Sequence, residues 1–386
     1  MLNINLQSLR NWVSLLLVIL CLTLNNSTKS NFLIFGNLVI LIFLNFSSIK
    51  NQLFIKGFLV TFIFLPFFIG LINGVESNQI TRFLALFLLF VTYPFKVNFD
   101  RLHYLILGGI GTYLLFMQIG CALQIPLFID FRELNYPPEQ NLWGDNVVQG
   151  IEAFVGGLKD VRLPGIYYNP NIMGQSFLIL YVILFIFIFE NSNRTFYFSI
   201  FIVFFFSILF TGSRSTMASF LFINSFRILP ILKKNPKLFV FFLSMPIFGI
   251  LYYGVTLDFR ALDVTGGVFS GGESGSIKID TFLSYFRDLN FRSFFEMVGF
   301  LFGHLNWDRQ FDADIGYLLS YFGVFGLMAI LVYFFVIFIL TDTKYRFVFG
   351  LFFISLGATL IMNFRFSILF FIILGITFRH KKIVYK

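Results

Sequence analysis

The chain has 386 residues, of which 58% are hydrophobic and only 12% are charged, with a formal net charge of +9. A soluble domain is about half apolar and about a quarter charged, so this composition excludes a globular cytosolic enzyme, and the apolar content also excludes an intrinsically disordered chain. The apolar residues occur in long blocks, which predicts an all-α, polytopic integral membrane protein.

The apolar blocks predict about twelve transmembrane helices in one domain that covers residues 1–386. In chain order, the predicted spans are 12–24, 32–46, 57–72, 83–95, 102–123, 172–189, 196–210, 216–230, 238–257, 315–340, 347–361 and 365–378. Several are shorter than the roughly 20 residues that a perpendicular helix needs, so we expect their polar flanks to extend the helices. Residues 347–378 alternatively form one long helix, which would move the C-terminus to the other side.

The first block, residues 12–24, follows Arg10 and has no small-x-small cleavage site after it, so we expect a retained span and not a signal peptide. Cys21 and Cys121 both lie in apolar blocks and imply no disulfide framework.

The distribution of Lys and Arg predicts that both termini are cytoplasmic. Sixteen of the 28 basic residues and only three acidic residues fall in the segments predicted to lie inside. Two long segments, residues 124–171 and 258–314, then lie outside and form the predicted active-site face. The net charge is therefore a topology signal and does not indicate a nucleic-acid partner.

The first outer loop ends in VRLPGIYYNPNIMG, residues 161–174, directly before a predicted span. Asn169-Pro170-Asn171 is typical of a turn that leads into a helix, with Asn171 as the expected N-cap. One interpretation is a helix start alone. The other is that Arg162 and the helix N-terminus face an anion at the membrane surface.

Arg82, Arg214 and Arg365 lie beside or within apolar blocks on the predicted outer side. An arginine at mid-membrane costs about 2.5–3.5 kcal/mol on insertion scales, so its presence needs a reason. Snorkelling to headgroups is the favoured interpretation for Arg82. For Arg214 and Arg365 we favour a phosphate or diphosphate site. Arg214 lies in FTGSRSTMAS, where the hydroxyls of Ser213, Ser215 and Thr216 are also expected to suit a phosphate.

The second outer loop opens with a glycine-rich stretch, residues 265–276, and continues into an amphipathic pattern over residues 280–300. This pattern predicts a helix in the outer interface. The helix either caps the bundle or forms a flap over a lipid-linked substrate, with Arg287 and Arg292 toward that substrate.

The candidate acids and bases are His304, Asp312 and Asp314, which lie just before the tenth predicted span. A carboxylate or imidazole here would serve as general base toward a sugar hydroxyl. The pair Asp312 and Asp314 alternatively holds a divalent cation. Only one of the three histidines lies outside, so a multi-histidine metal site is excluded, and no cofactor is expected. No nucleotide or hydrolase motif supports a pump or a hydrolase.

Three segments together resemble the O-antigen polymerase and O-antigen ligase superfamily of bacterial envelope polysaccharide assembly. RLPGIYYNPNIMG matches a pattern of Arg, Gly and Asn-Pro-Asn before a span. LFTGSRSTMASFLF matches a Thr/Ser-x-Ser-Arg turn, and DADIGYLLSYFGVFGL matches an acidic or His residue followed by Tyr-Leu and Gly-x-x-Gly. The motifs cover about a tenth of the chain.

The resemblance implies a helical bundle in the bacterial inner membrane, with a metal-free site that faces the periplasm and takes glycans linked to undecaprenyl diphosphate. It implies that Arg162 and Arg214 bind the diphosphate and that Asp314 stands where ligases of the superfamily tend to place a His. The structural turn of the family corresponds to Gly165, Asn169, Asn171 and Gly174. Trp143, Tyr167, Tyr168 and Tyr317 are the aromatic candidates for sugar contact.

These features predict a repeat-unit polymerase for O-antigen, capsule or exopolysaccharide. Its expected partners are membrane lipids, a chain-length regulator and a flippase. The alternatives are an O-antigen ligase that transfers the glycan to lipid A-core, and a flippase or other transporter of lipid-linked oligosaccharides. A flippase predicts charges along several spans, whereas here the charges gather at one face.

Overall fold

The computed structural model describes residues 5–24, 28–49, 77–135, 163, 165–167, 169–191, 194–234, 294–303, 314–355, 360–361 and 363–378. These ranges contain α-helices, 3-10 segments and turns, and no β-strand, so the predicted all-α class is confirmed for the described part of the chain. The predicted spans 57–72 and 238–257 lie outside the described residues.

Five helices precede the first predicted outer loop, residues 124–171, or lie at its start. They are α1 (Leu6–Thr23), α2 (Thr28–Ile49), α3 (Ser77–Thr92), α4 (Arg101–Ala122) and α5 (Pro126–Asn135). The first four coincide with predicted spans and begin earlier than the apolar blocks, because their polar flanks are helical. The fifth, α5, was not predicted and occupies the beginning of the outer loop.

Seven further helices and two 3-10 segments follow in the rest of the described chain. They are a 3-10 turn (Gly165–Tyr167), α6 (Pro170–Asn191), α7 (Arg194–Leu209), α8 (Arg214–Lys234), α9 (Phe294–Phe302), α10 (Asp314–Leu340), a 3-10 helix (Thr343–Leu351), α11 (Phe352–Ser355) and α12 (Phe364–Phe378). The predicted amphipathic helix over 280–300 lies outside the described residues, except for the part that forms the start of α9.

By length and composition, four described helices are able to cross a membrane, and three shorter helices are also apolar. The long segments are Leu6–Thr23, Arg101–Ala122, Pro170–Phe189 and Gly316–Leu340, and the shorter ones are Lys29–Asn45, Phe196–Leu209 and Phe364–Phe378. A helix of 20 residues is about 30 Å long, which matches the hydrocarbon core of a bilayer. These segments support a membrane protein, while the full number of spans and their orientation stay predictions.

Helix α6 is the centre of the bundle. It packs against α4, α7, α8, α12 and the 3-10 helix Thr343–Leu351. Its residues from Met173 to Phe185 are buried without interruption. A helix that is apolar on every face is stable in such a position, because every side of it meets other helices.

The two ends of the bundle are defined by separate sets of polar contacts. At one end, which we call the Asn11 end, the Nε of Arg10 donates to the carbonyl oxygen of Leu44 at 2.7 Å, and Asn11 exchanges hydrogen bonds with the backbone of Asn98. At the other, the Arg365 end, Arg365 contacts Leu24, directly after α1. Helices α1 and α2 therefore run in opposite directions, as an up-and-down bundle requires.

The last two predicted spans are separate elements. Asn363 directly precedes α12, and its Oδ1 accepts hydrogen bonds from the backbone N–H groups of Arg365 at 3.1 Å and Phe366 at 3.4 Å. This cap begins α12 and excludes a single continuous helix over residues 347–378. The described part of the span predicted over 347–361 contains the end of the 3-10 helix Thr343–Leu351, the short α11 and two non-helical residues, 360 and 361.

Candidate functional site

Two segments that are distant in sequence are joined at the Arg365 end. The backbone N–H of Leu163 donates to the carbonyl oxygen of Phe210 at 2.8 Å. Leu163 directly follows Arg162 in the sequence, and Phe210 opens the turn that leads to Arg214. Arg162 itself lies outside the described residues. The structure thus brings together the described parts of two segments that sequence analysis selected independently.

The turn between α7 and α8 is built from small and hydroxylated residues. Gly212 has a positive φ of 62°, which lets the chain reverse after α7 without a Cβ clash. Ser213 precedes α8, its carbonyl oxygen accepts from the N–H of Met217 at 3.0 Å, and its Oγ lies 2.8 Å from the Oγ1 of Thr216. Arg214 is consequently the first residue of α8, where it is half-buried.

The hydroxyls beside Arg214 do not all face outward. Ser213 and Thr216 are buried and hydrogen-bonded to each other, so they stabilise the turn. Ser215 is half-buried. The prediction that three hydroxyls bind a phosphate is therefore wrong for Ser213 and Thr216. Both hydroxyls are buried between helices, which their closeness to Arg214 in the sequence did not reveal.

Gly174 is the point of closest approach between α6 and the Arg214 turn. A Cβ at this position would lie 2.9 Å from the Oγ1 of Thr211 and 3.3 Å from the Cβ of Ser213. A side chain there would require the turn to move, so the position of Arg214 relative to α6 depends on this glycine.

The start of α6 is capped by Asn169. Its Oδ1 accepts from the N–H groups of Asn171 at 2.9 Å and Ile172 at 3.4 Å, and Pro170 occupies the first helical position. Proline is favoured there because its missing N–H has no intrahelical partner to lose. The expectation that Asn171 is the N-cap is therefore wrong by two residues, and Asn171 lies in the first turn of the helix.

The 3-10 turn before α6 is tightly packed. Gly165 has a φ of 58°, and a Cβ at this position would lie 2.8 Å from the Cε of Met173. Tyr167 is 5% exposed, and its hydroxyl donates to the carbonyl oxygen of Leu22 near the end of α1. Burial raises the pKa of Tyr167, which keeps the hydroxyl protonated as a donor. These contacts indicate a structural function, and the sugar contact predicted for Tyr167 stays a prediction.

Arg365 is held inside the protein. It is 8% exposed, its Nε and Nη2 donate to the Oδ1 of Asn31 at 3.3 and 2.9 Å, and its Nη1 donates to the carbonyl oxygen of Leu24. The guanidinium thereby satisfies a carbonyl beyond the last turn of α1 and links α1, α2 and α12. This geometry explains why an arginine is tolerated in an apolar block. Its predicted diphosphate contact is not tested by these bonds.

The structure describes only some of the remaining candidate residues. Asp314 is the first residue of α10, and its side chain is not among the described ones. Tyr317, one turn later, is half-buried with its ring 6.1 Å from that of Tyr321. The candidates that lie outside the described residues are Trp143, Arg162, Tyr168, Arg287, Arg292, His304 and Asp312.

Helices α9 and α10 meet through two glycines. A Cβ on Gly303 would lie 2.1 Å from the carbonyl oxygen of Tyr321, and a Cβ on Gly323 would lie 2.5 Å from that of Leu301. Gly323 also has a φ of 66° and interrupts the helical geometry of α10. This close approach holds α9, at the described end of the second predicted outer loop, against α10, which begins at Asp314.

Sequence reasoning missed two polar residues: Asn31, which lies directly before the predicted span 32–46, and Gln118, which lies within the predicted span 102–123. Asn31 binds Arg365, and the Nε2 of Gln118 donates to the carbonyl oxygen of Ser207 at 3.0 Å. An isolated polar residue in a predicted span is itself a signal, because burial in an apolar medium requires a partner. Among the described residues there is no group of three or more His, Cys, Asp or Glu that could hold a metal ion.

The arrangement favours an anion at the Arg365 end. Helices α6, α8 and α12 all begin there, and their N-termini carry partial positive charge. Arg214 and Arg365 add two formal positive charges at the starts of two of these helices. Positive charge of this kind is electrostatically complementary to an anion.

In comparisons with known proteins, no protein-family model matches the chain, and no curated protein or solved structure has significant similarity to it.

Proposed function

We propose that this protein polymerises oligosaccharide repeat units, carried on undecaprenyl diphosphate, into O-antigen, capsule or exopolysaccharide. The observation that carries the proposal is the hydrogen bond between Leu163 and Phe210, at 2.8 Å. It joins the segment that follows Arg162 to the turn that precedes Arg214. Both arginines belong to motifs that resemble the polymerase and ligase superfamily, and a shared diphosphate requires them to be close.

The proposed reaction is a glycosyl transfer. A sugar hydroxyl of the lipid-linked acceptor attacks the anomeric carbon of the growing glycan, and the bond from that carbon to the lipid diphosphate breaks. The electron pair leaves with the diphosphate, whose growing negative charge Arg162 and Arg214 stabilise. The hydroxyl proton passes to a base, for which Asp314, His304 and Asp312 are the candidates.

Other residues have supporting functions in this proposal. Arg365 contributes positive charge and ties the end of α1 to α12, while Arg287 and Arg292 approach the diphosphate from the second outer loop. Tyr168 and Tyr317 contact sugars, together with Tyr167 if its ring is uncovered by substrate. The site works without a metal ion, with a divalent cation at Asp312 and Asp314 as the alternative.

Deletion of the gene in its own bacterial host tests the proposal. Loss of a polymerase leaves envelope glycans that carry a single repeat unit, and this product is resolved by electrophoresis of the purified polysaccharide. Loss of a ligase instead leaves bare core while lipid-linked polymer accumulates, and loss of a flippase traps repeat units on the cytoplasmic leaflet. Normal chain length in the deletion strain would exclude all polymerase activity for this protein.

A further inference from the structure

An open groove lies between α4 and α7, with α6 as its floor, and it is separate from the candidate site. Its volume is about 830 Å³, within the range of about 300–1,000 Å³ that is typical of ligand pockets. Its lining includes Arg101, Gly108, Thr112, Leu115, Val203 and Ser207.

The walls of the groove are apolar, because the hydroxyls that line them are already bonded. The Oγ1 of Thr112 donates to the carbonyl oxygen of Gly108 at 3.0 Å, and the Oγ of Ser207 donates to that of Val203 at 2.8 Å. A Cβ at Gly108 would meet nothing within 4 Å, so this glycine leaves space that a larger side chain would fill. The groove is therefore mainly apolar along its length and suits a hydrocarbon chain.

One end of the groove carries a cation. Arg101 is exposed, begins α4, and makes no hydrogen bond or ion pair with any residue that the structure describes. The neighbouring Asp100 is engaged elsewhere, since its Oδ1 caps α4 through the N–H of Leu102 at 2.9 Å and lies 2.6 Å from the Nδ1 of His103. An apolar groove with a guanidinium at its mouth is complementary to an amphiphile with an anionic head.

The dimensions indicate a membrane lipid. Fourteen residues separate Arg101 from Leu115 on α4, which corresponds to about 21 Å of helix, whereas one leaflet of hydrocarbon is about 15 Å deep. A full-length acyl chain therefore fits along the groove while a phosphate remains at Arg101.

Arg101 also lies at the end of the bundle opposite to Arg365. Trp12 of α1 contacts His103 with ring centroids 4.8 Å apart, near the start of both helices, whereas Arg365 binds the residue that follows the end of α1. A diphosphate bound at the Arg365 end is thus at a different membrane surface from Arg101. The occupant of the groove is then a second lipid and not the substrate of the proposed reaction.

We propose that the groove between α4 and α7 binds one membrane phospholipid, with its phosphate at the Arg101 guanidinium and one acyl chain against Gly108. This inference needs the chain to be membrane-embedded and does not depend on the proposed polymerase activity.

Photo-crosslinking tests the inference. The full chain is reconstituted in phosphatidylcholine vesicles that contain phosphatidylglycerol with a diazirine on one acyl chain, and labelled peptides are identified by mass spectrometry. We expect labels on the groove faces of α4 and α7. Gly108→Leu should lower this labelling about tenfold by filling the groove, which corresponds to a loss of about 1.4 kcal/mol in binding free energy.

Gly109→Leu is the matched control, because a Cβ at Gly109 also meets nothing within 4 Å but this residue does not line the groove. It should leave the labelling unchanged. Arg101→Gln should weaken labelling by phosphatidylglycerol and leave that by a diacylglycerol probe with the same chain unaltered, which separates the phosphate from the acyl chain.

Several outcomes would overturn the inference. They are equal labelling of the two leucine variants, labels spread over all exposed helices, displacement of the probe by a polyprenyl phosphate, and crosslinks to a second copy of the chain through this face. If Gly108→Leu does not purify as a single species, Val203→Trp replaces it and fills the groove from α7. The positions labelled in the wild-type protein then distinguish binding in the groove from general contact with lipid.

Discussion

Arg214 and Arg365 are two arginines at helix starts on the same end of the bundle, yet their surroundings differ. Arg365 is buried and bonded to Asn31 and to the carbonyl oxygen of Leu24. Arg214 is half-buried and follows a turn whose internal hydroxyls are bonded to one another. One guanidinium is used to connect helices, whereas the other lies where a turn and a helix N-terminus meet the surface.

An arginine in or beside an apolar block thus has at least two explanations, which sequence alone does not separate. Such a residue either satisfies carbonyls within the fold or binds a ligand. Arg365→Ala should therefore affect stability more than activity, whereas Arg214→Ala should have the larger effect on activity.

The largest effect is expected for Arg214→Ala on polymer formation. Removal of one hydrogen-bond donor from an oxyanion-stabilising site costs about 100- to 1,000-fold in rate, and we expect a loss of this size in polymer formation. Chain-length distribution in a complemented deletion strain measures it, with membrane abundance as the control. Arg214→Lys should recover only part of the activity, because a single ammonium lacks the guanidinium fork. Wild-type chain length for a well-expressed Arg214→Ala protein would remove this residue from the mechanism.

Arg365→Ala should lower the stability of the protein more than its activity per folded molecule. The substitution leaves the Leu24 carbonyl and the Asn31 side chain without their donor, at an expected cost of about 1–3 kcal/mol. Thermal unfolding of the purified protein in detergent measures this cost, and Asn31→Ala should lower the stability in the same direction. Activity per folded molecule should fall less than in Arg214→Ala. Unchanged stability together with complete loss of activity would instead assign Arg365 to the substrate.

Gly174→Val should disturb the Arg214 turn from the opposite side. Its new side chain meets Thr211 and Ser213, and overpacking of this kind costs about 1–3 kcal/mol. We expect both lower stability and shorter polymer, because the turn that carries Arg214 must move. Gly36→Val is a suitable control, since a Cβ at Gly36 meets nothing within 4 Å. Equal behaviour of the two variants would show that the approach at Gly174 is unimportant.

The smallest effect is expected for Tyr167→Phe. It removes the hydroxyl that donates to the Leu22 carbonyl and keeps the buried ring, so the expected loss of stability is about 1 kcal/mol. A melting curve beside that of Arg365→Ala gives the comparison. If Tyr167→Phe is as stable as the wild type but makes altered polymer, the hydroxyl acts on the sugar and not on α1.

Much of the helical layout was predictable because apolar blocks without charges have few other solutions. Most of the long described helices coincide with predicted spans, and their polar flanks are helical as expected. The span predicted over 347–361 is an exception, because a 3-10 helix and the short α11 occupy its described part. The site was less predictable. Asn169 and not Asn171 caps α6, and the hydroxyls of Ser213 and Thr216 face each other, because both outcomes depend on the local path of the backbone.

Helices α6 and α10 have similar apolar compositions but different positions in the protein. Both are apolar throughout, yet 83% of the residues in the most apolar part of α6 are buried inside the protein, compared with 33% in α10. Lipid tails and protein interiors are equally apolar, so composition alone determined that these segments are helices and able to cross a membrane. Only packing between helices decided which of them occupies the centre. Packing also placed Asn31, 334 residues away in the sequence, against the Arg365 guanidinium.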